Sequence, residues 1–388
     1  MPKQAPMNPR TRSRYRKEVF FKGLALTALL MAGLFLIWFF SDIISKGYSA
    51  FVQAEVLVEV QFNEQSSSNY QKAVNKKDRA LVSRGYLRTL PMYMEAHPEI
   101  MGTSEQLWVV AGYRVDQFLK GKEHHRLKKK LQRHVRELEK EDRIRLAFNT
   151  GFFLNGDSKM PEIAGIKSAV IGSLLVLLIT VLFALPIGIM TALYLEEFAP
   201  DNRWTQFIEV NINNLAAVPS ILFGLLGLAI FINFFGVPRS SAIAGGLTLG
   251  LMTLPVIIIT ARAALRAVPD NIREAACGVG ASRWQVVWHH VLPLSLPGIL
   301  TGSIIGLSQA MGETAPLLII GMMAYIPDAP TSITQAATVL PAQIFTWAGE
   351  PIRAFAERTA AAILVLLAVL LTLNAAAVWL RKRFETKW

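Results

Sequence analysis

The sequence predicts an all-α membrane protein with six transmembrane helices and a small α/β extracytoplasmic insertion between helices 1 and 2. Of its 388 residues, 52% are hydrophobic and only 18% are charged. The charges cluster at the two ends and in one central block, and the long stretches between them are almost free of charge. Such a distribution is expected when lipid is the solvent for part of the chain.

Six apolar runs reach the roughly 20 residues that a helix needs to cross the hydrocarbon layer. Because every backbone amide in lipid must be bonded internally, these runs are helices rather than open strands. The predicted spans are residues 23–44, 166–195, 207–235, 242–265, 298–326 and 360–380. Asn211, Asn213 and Asn214 make the start of the third span polar, so this part is predicted to be a cytoplasmic or interfacial helix leading into the span.

The spans divide the chain into five parts. These are a basic cytoplasmic N-terminus (1–22), the first transmembrane helix (23–46), the extracytoplasmic insertion (47–165), a core of five transmembrane helices (166–380) with a loop at 266–293, and a basic cytoplasmic tail (381–388). Lys and Arg beside spans favour the cytoplasmic side, so both termini of this multi-pass inner-membrane protein are expected there. Basic flanks and lipid headgroups account for the net charge of +12, so no nucleic-acid partner is expected.

The insertion is long enough to form a small domain. The sequence EVLVEVQF at 55–62 alternates valines, which is typical of a strand. Residues 122–145 are highly charged, but Leu127, Leu131, Val135 and Leu138 recur at helical spacing and predict an amphipathic helix. Two interpretations stay open for this helix: a solvated helix of a packed domain, or a contact surface for a binding protein or lipid headgroups.

The loop after the fourth span carries the strongest motif, REAACGVGASRWQVVWHHVLPLSLPGI at 273–299. Its expected coupling residues are Glu274, Ala275, Ala276, Gly280, Arg283, Leu292 and Pro293. Glycines predict a break between two short helices, and Pro293 is expected to reset the chain before the next span. Small side chains at Ala275 and Ala276 are expected to let a partner surface approach closely. The alternative is a cytoplasmic loop whose glycines and prolines only make turns.

This motif resembles the EAA loop of ABC importer permeases, with His290 where the family usually has an aliphatic residue. Residues 185–200, 213–231 and 298–318 are similar to signature stretches of PstA-type phosphate permease subunits. The resemblance covers roughly residues 148–380 and the first span, and omits about 62–146. It implies a type I ABC importer permease fold, in which the EAA loop seats in a cleft on an ATPase.

The resemblance also implies a function and partners. The chain would be the non-catalytic permease subunit that carries inorganic phosphate into the cytoplasm. Its partners would be a second permease (PstC-type), an ATPase dimer (PstB-type) and an extracytoplasmic phosphate-binding protein (PstS-type). No phosphate-binding loop of the Gly-x-x-x-x-Gly-Lys type occurs, so ATP would be bound by the ATPase and no cofactor by this chain. No catalytic triad or metal-ligand cluster is evident, and the single cysteine, Cys277, cannot form an intrachain disulfide.

A GETAP stretch places Glu313 inside a predicted span, where a carboxylate usually faces a cavity or a polar partner. Flanking glycine and proline can interrupt the helix and free backbone groups to line a pathway. The predicted pathway residues are Gln309, Glu313, Thr314 and Arg262, with Arg262 as the expected ionic partner of Glu313. The alternative is a structural hydrogen bond that fixes helix packing.

Two departures from the resembling family concern charge. Gln309 stands where the family commonly has Arg, and Ala263 stands where it commonly has Glu. One charge of each sign is absent, so a partner permease is expected to supply more of any anion coordination.

Two other functions stay open. A permease for another oxyanion, such as molybdate, sulfate or phosphonate, would share the EAA loop. A membrane sensor would instead bind a signal with its outer domain and would need no ATPase partner.

Overall fold

The computed structural model describes residues 9–123 and 125–384, so the predictions for residues 1–8 and 385–388 lie outside the described residues. Within the described ranges, five helices are long and apolar enough to cross a membrane, or six if one bent helix pair counts as a single span. The architecture is therefore helical, as the apolar runs predict.

The elements fall into a long first helix, an α/β insertion and a helical core. The first helix and the insertion contain α1 (Pro9–Gly47), β1 (Val52–Gln61), α2 (Glu64–Ser68), α3 (Arg84–Ala96), β2 (Ser104–Val110), α4 (Tyr113–Leu119), α5 (Lys129–Lys140), β3 (Ile144–Phe148) and α6 (Thr150–Leu154). The core contains α7 (Lys167–Leu193), α8 (Arg203–Ala216), α9 (Ser220–Gly227), α10 (Ala242–Arg266), α11 (Asp270–Gly278), α12 (Arg283–Val286), α13 (Leu292–Gly312), α14 (Ala315–Ile319), α15 (Leu340–Ala348) and α16 (Ala354–Phe384). Three π-helical segments extend core helices, at Tyr194–Phe198, Leu228–Phe234 and Val287–Val291.

Helix α10 is the centre of the core and packs against both α7 and α13. Small residues allow this close approach: a Cβ added to Gly246 would lie 2.5 Å from the Cβ of Ile179 on α7. On the α13 side, a Cβ added to Gly302 would overlap Thr260. In lipid, where no hydrophobic force drives helices together, such close backbone contact supplies the packing energy.

The third predicted span consists of two helices, α8 and α9 with its π-helical extension. The direction of the chain bends by 106° between them. Pro219 stands immediately before α9. Proline lacks an N–H and disfavours helical geometry in the residue before it, so the chain bends here. No residue of α8 is buried, which fits the predicted polar helix that leads into the span.

The predicted end of the fifth span, 298–326, is wrong, and the helix that contains its start begins earlier than residue 298. The helix extends back through Pro293 to Arg283, because the N–H of Leu292 bonds the carbonyl of Val287, five residues earlier, and this wide turn admits the proline. Pro293 therefore does not reset the chain. At the other end α13 stops at Gly312, Glu313 is extended (φ −74°, ψ 132°), and α14 begins at Ala315.

The insertion, residues 47–165, contains a three-stranded antiparallel sheet in the order β2–β1–β3. Strand β1 lies where the valine alternation predicts it, and Val56, Val58 and Val60 are all buried. The predicted amphipathic helix is α5, whose Val135 and Leu138 pack into the same apolar core. Its apolar stripe thus serves the domain's own packing.

A buried ionic cluster, which we name the junction, joins the insertion to the first turn of α16. Lys120 Nζ lies 2.7 Å from Asp116 Oδ2 and 2.8 Å from Glu357 Oε1, with both pairs almost fully buried. The neighbouring Arg358 is 4% exposed, and its guanidinium lies 5.6 Å from the centre of the Phe152 ring. Burial raises the pKa of Asp116 against the opposing effect of Lys120.

Helix α16 continues from the junction along α13. Asn374 Oδ1 accepts a hydrogen bond of 2.5 Å from Ser308 Oγ. Further along, Arg381 Nη1 donates to Thr301 Oγ1 over 3.2 Å. Polar contacts thus tie α16 to the insertion at one end and to α13 along its length.

Candidate coupling site

The motif after the fourth span folds as two short helices, α11 and α12, which together we name the coupling hairpin. The glycine break is where the sequence predicts it: α11 ends at Gly278, and Gly280 has φ +89°. Ser282 then caps α12, accepting from the Gln285 N–H, while the Gln285 side chain accepts from the Ser282 N–H. Glu274 lies within α11 rather than at its start, because α11 already begins at Asp270.

The predicted coupling residues divide between an exposed and a packed face. Glu274, Ala275, Gly280, Arg283 and Pro293 are exposed, whereas Leu292 is partly buried. Ala276 is 8% exposed and packs with Ala192, Leu265 and Val286 of this same chain. The expectation that a partner approaches both alanines is therefore wrong for Ala276, which faces its own helices.

Exposed aromatic side chains on this part of the molecule were not predicted. Trp284 and Trp288 are 59% and 51% exposed, and their rings stack with centres 5.4 Å apart. Val279, at the tip of the coupling hairpin, is 86% exposed. Exposed large apolar side chains grouped in this way are typical of a surface that contacts a protein or a membrane. Tryptophans one helical turn apart in the motif were the signal available in the sequence.

Arg273 fixes the coupling hairpin to the core. Its Nη2 lies 2.7 Å from Glu197 Oε1, and its Nη1 donates to the carbonyl of Val268 at 2.7 Å. A further bond of 3.0 Å joins Nη2 to the carbonyl of Leu265, in the last turn of α10. The hydrogen bonds that Arg273 donates to the Glu197 carboxylate raise the pKa of the Arg273 guanidinium. One side chain thus connects α11 with the ends of α7 and α10.

A second set of ion pairs extends this network to α8. Arg262 Nη2 lies 2.6 Å from Glu209 Oε1, and its Nε lies 3.1 Å from Glu196 Oε2. Arg266 Nε contacts the other oxygen of Glu196 at 2.7 Å. The Arg262 side chain is only 12% exposed, so its charge is largely desolvated and depends on these partners. We name the pairs of Arg262, Arg266 and Arg273 the arginine network.

The arginine network overturns one prediction. Arg262 does not pair with Glu313, because two acidic residues on other helices, Glu196 and Glu209, already hold its guanidinium. The sequence offered one hint. The acidic pair Glu196–Glu197 directly follows the second predicted span and lies on the predicted cytoplasmic side, as do Arg262, Arg266 and Arg273.

A groove of about 600 Å³ lies beside the arginine network. Its walls combine the coupling hairpin with the end of α7 and include Glu196, Glu197, Arg266, Glu274, Cys277 and Arg283. Both signs of charge line it, and Cys277 is exposed there. A polar, open groove between elements of one chain can receive a side chain or helix of another protein.

The GETAP stretch forms a break in the core. Glu313 and Thr314 are half-buried in the turn between α13 and α14, and Gln309 is exposed one turn earlier. Among residues 9–123 and 125–384, no salt bridge or side-chain hydrogen bond to Glu313 is present. The break brings Gln309, Glu313 and Thr314 together, while Arg262 belongs to the arginine network instead.

Comparison with known proteins assigns the part of the chain that contains the coupling hairpin to a protein family. Residues 184–388 match the family described as "Binding-protein-dependent transport system inner membrane component". Residues 8–78, which cover α1 and β1, match a domain of unknown function, DUF3333. This match covers the first span, which the sequence-based resemblance to the permeases also covered, and the start of the insertion, part of which that resemblance omitted.

Several relatives are permeases by name. The chain is 35% identical over 167 residues to the probable ABC transporter permease protein YqgI of Bacillus subtilis, covering 43% of this chain and 56% of that protein. It is 33% identical over 217 residues to the phosphate transport system permease protein PstA 1 of Mycobacterium tuberculosis, covering 56% of this chain and 70% of the relative. The PstA of Yersinia pestis is 32% identical over 54% of this chain and 70% of its own length.

Among solved structures, an inward-facing conformation of the MetNI methionine ABC transporter matches 56% of this chain and 97% of its own chain, with 18% identity and a TM-score of 0.46. The family match at 184–388 covers more than half of the chain and contains both the coupling hairpin and the GETAP break. This chain belongs to the family of binding-protein-dependent transport system inner membrane components.

Proposed function

We propose that this chain is the transmembrane permease subunit of an ABC importer that moves inorganic phosphate into the cytoplasm. ATP hydrolysis would take place on a separate ATPase subunit, and the chain itself would be non-catalytic. The observation that carries the transport role is the arginine network, which links the exposed coupling hairpin to three core helices. The relatives named as phosphate permeases support phosphate as the substrate.

This geometry supports a mechanism for the coupling step. An ATPase that seats against Ala275, Trp284 and Trp288 would move the coupling hairpin when ATP binding closes the ATPase pair. Because Arg273 bonds both Glu197 and the end of α10, a displacement of α11 pulls on α7 and α10 together. ATP and the loaded binding protein would favour different conformations, which is the condition for any ligand to shift such an equilibrium.

The substrate path would follow the break at Gln309, Glu313 and Thr314. A lone carboxylate repels an anion, so Glu313 would organise the break rather than coordinate phosphate. A basic side chain from a second, PstC-type permease would pair with Glu313 and supply the anion coordination. The complete importer would add two PstB-type ATPases and a PstS-type binding protein.

Labelling of Cys277 tests the position of the coupling hairpin. Cys277 is the single cysteine of the sequence and is exposed, so a membrane-impermeant maleimide reports its side of the membrane. In this topology both termini are cytoplasmic. The reagent is therefore expected to label inside-out vesicles and to spare intact spheroplasts, and bound ATPase should protect Cys277 from it.

The matched control is Cys277→Ser combined with Ser332→Cys. Ser332 is exposed in the segment between α14 and α15, which the same topology places outside. The label should then react in spheroplasts. Labelling of Cys277 from outside would refute the coupling role.

Uptake of radiolabelled phosphate tests the substrate. Cells that lack other phosphate importers should take up phosphate only when the full importer contains this chain, and excess sulfate or molybdate should not compete. Competition by molybdate or sulfate instead of phosphate would point to a different oxyanion. Uptake that is independent of the ATPase gene would favour the sensor role.

A further inference from the structure

The insertion contains a cavity of about 640 Å³, separate from the coupling site. Its floor is apolar and buried, formed by Val82, Leu87, Val115 and Leu127. The rim is polar and exposed, formed by residues that precede α3, begin α4 and precede α5. A pocket with an apolar floor and polar groups at its mouth is the usual form of a small-molecule site.

The charged residues that line the cavity are almost all cationic. Six exposed cationic side chains stand around the cavity: Lys76, Arg84, Arg114, Arg126, Lys128 and Lys159. A seventh, Arg79, is half-buried, and its Nε is buried without a hydrogen-bond partner among the described residues. The lining includes one acidic residue, Glu162, which is 8% exposed and accepts a hydrogen bond of 2.9 Å from Ser83 Oγ.

Among the described residues, no carboxylate neutralises these cations. In the ranges 9–123 and 125–384, none of the seven takes part in a salt bridge, although Asp78, Glu137 and Glu141 on nearby elements pair with other residues. Arg114 donates from Nε to the hydroxyl of Tyr113 at 3.1 Å, which leaves its charge in place. Concentrated positive charge at a concave surface raises the local concentration of anions.

A solvated basic face would also carry unpaired lysines and arginines, but it would not enclose a buried apolar floor. The two features together specify a ligand with an anionic group for the rim and an apolar body for the floor. We propose that this cavity binds an organic phosphate, with the phosphate at the Arg114 and Lys128 side and the organic body on Val82, Leu87 and Leu127. Guanidinium groups suit phosphate because they donate two parallel hydrogen bonds.

The ligand of this cavity is distinct from the proposed transport substrate. The residues that would contact it precede the segment that matches the permease family, 184–388. The proposal therefore does not depend on phosphate import. Two sources share its chemistry: a soluble phosphate ester and the headgroup of an anionic phospholipid, whose acyl chain would reach the apolar floor.

Titration calorimetry on the full chain in neutral detergent and phosphate-free buffer tests the proposal. The probes are adenosine 5′-monophosphate, dihexanoyl phosphatidic acid as a monomer, and inorganic phosphate. At least one of the two organic probes should bind more tightly than inorganic phosphate, and whichever binds more tightly identifies the soluble or the lipid source. Affinity should fall as ionic strength rises, because the rim is exposed.

The variant Arg114→Gln/Lys128→Gln should weaken this binding at least tenfold. Arg133→Gln/Lys140→Gln removes the same charge from exposed positions of α5 that do not line the cavity, and it should bind as the parent does. A thermal unfolding midpoint close to that of the parent verifies that each variant is folded. Absence of binding by both organic probes, equal loss in the two variants, or equal affinity for inorganic phosphate would overturn the proposal.

Discussion

At the scale of the residue, Arg273 carries the most connections of the coupling site. Its guanidinium pairs with the carboxylates of Glu197 and Asp270 and donates to two main-chain carbonyls, and its side chain is 21% exposed. Glu197, its partner, is 9% exposed and would lose its counter-charge if Arg273 were removed. Leaving a buried charge unpaired costs more than the ion pair gains, so this position is sensitive to change.

Arg273→Ala is expected to lower the free energy of unfolding by about 2 kcal/mol, the scale of hydrogen bonds to charged groups. Stimulation of ATP hydrolysis by the assembled importer should fall further than this stability loss explains, because α11 would be detached from α7 and α10. Thermal unfolding and ATPase assays on purified complexes measure the two effects. Arg203→Ala, at an exposed position in the first turn of α8, is the control and should change neither.

Glu162 makes stability depend on pH. Burial raises its pKa above the ordinary 4.5, so the folded chain holds the proton more tightly than the unfolded chain does. This contribution is favourable at acidic pH and is lost as pH rises from the ordinary value through the raised one. Glu162→Gln is therefore expected to unfold at a higher temperature than the parent at alkaline pH.

The difference should shrink as pH is lowered towards the ordinary pKa of a glutamate. Thermal unfolding across a pH series measures it, and Glu139→Gln, an exposed change on α5, should follow the parent throughout. A gain in stability that is the same at every pH would contradict the assignment to a raised pKa.

At the scale of the element, the coupling hairpin depends on one backbone conformation. Gly280 has φ +89°, a region that L side chains rarely adopt, whereas Gly278 ends α11 without a positive φ. A Cβ at either position would meet nothing within 4 Å. The two glycines therefore differ in backbone geometry and not in available space.

Gly280→Val is expected to cost about 1–2 kcal/mol of backbone strain and to change the angle between α11 and α12. Phosphate uptake by the proposed importer should fall severalfold. Gly278→Ala at the helix end should be neutral or stabilise by up to about 1 kcal/mol. Uptake assays in cells with matched expression compare the two, and an equal loss in both variants would show that space, not conformation, limits this turn.

Sequence reasoning located most elements but missed where several of them end. Alternation of valines found β1, and apolar length found the spans, because both signals are local. The helix that contains the last predicted span begins at Ala354, six residues before the predicted start at 360, since Glu357 looks like a loop residue until Lys120 neutralises it. The partners of Arg262 lie 53 and 66 residues away, and no local pattern selects them over Glu313.

At the scale of the whole molecule, the junction holds the insertion to the core. Asp116 and Lys120 come from the insertion, and Glu357 and Arg358 come from α16. Gln117 Nε2 adds a hydrogen bond of 2.6 Å to Glu357 Oε2. The docking of the two parts therefore depends on charge pairing in a buried setting, where losing one member leaves the others uncompensated.

Lys120→Met is expected to destabilise the protein by about 3 kcal/mol, because Asp116 and Glu357 lose their shared counter-charge. Limited proteolysis should cut within the insertion sooner than in the parent, because the insertion would be held less firmly to α16. The double change Lys120→Met/Glu357→Gln should recover part of the lost stability, since the stability effects of substitutions at contacting residues do not simply add. Lys122→Met, two residues away and without a salt bridge among the described residues, is the control.

Helix α16 connects the insertion to α13. Buried charges bind its first turn to the insertion. Further along α16, Asn374 and Arg381 form hydrogen bonds with α13, the helix that ends at the Glu313 break. A force applied to the insertion is therefore expected to reach α13 through α16, and with it the break at Glu313 that we propose lines the substrate path. The coupling hairpin continues into the other end of α13. We therefore expect a ligand of the insertion and a partner of the coupling hairpin to act on one and the same helix, α13.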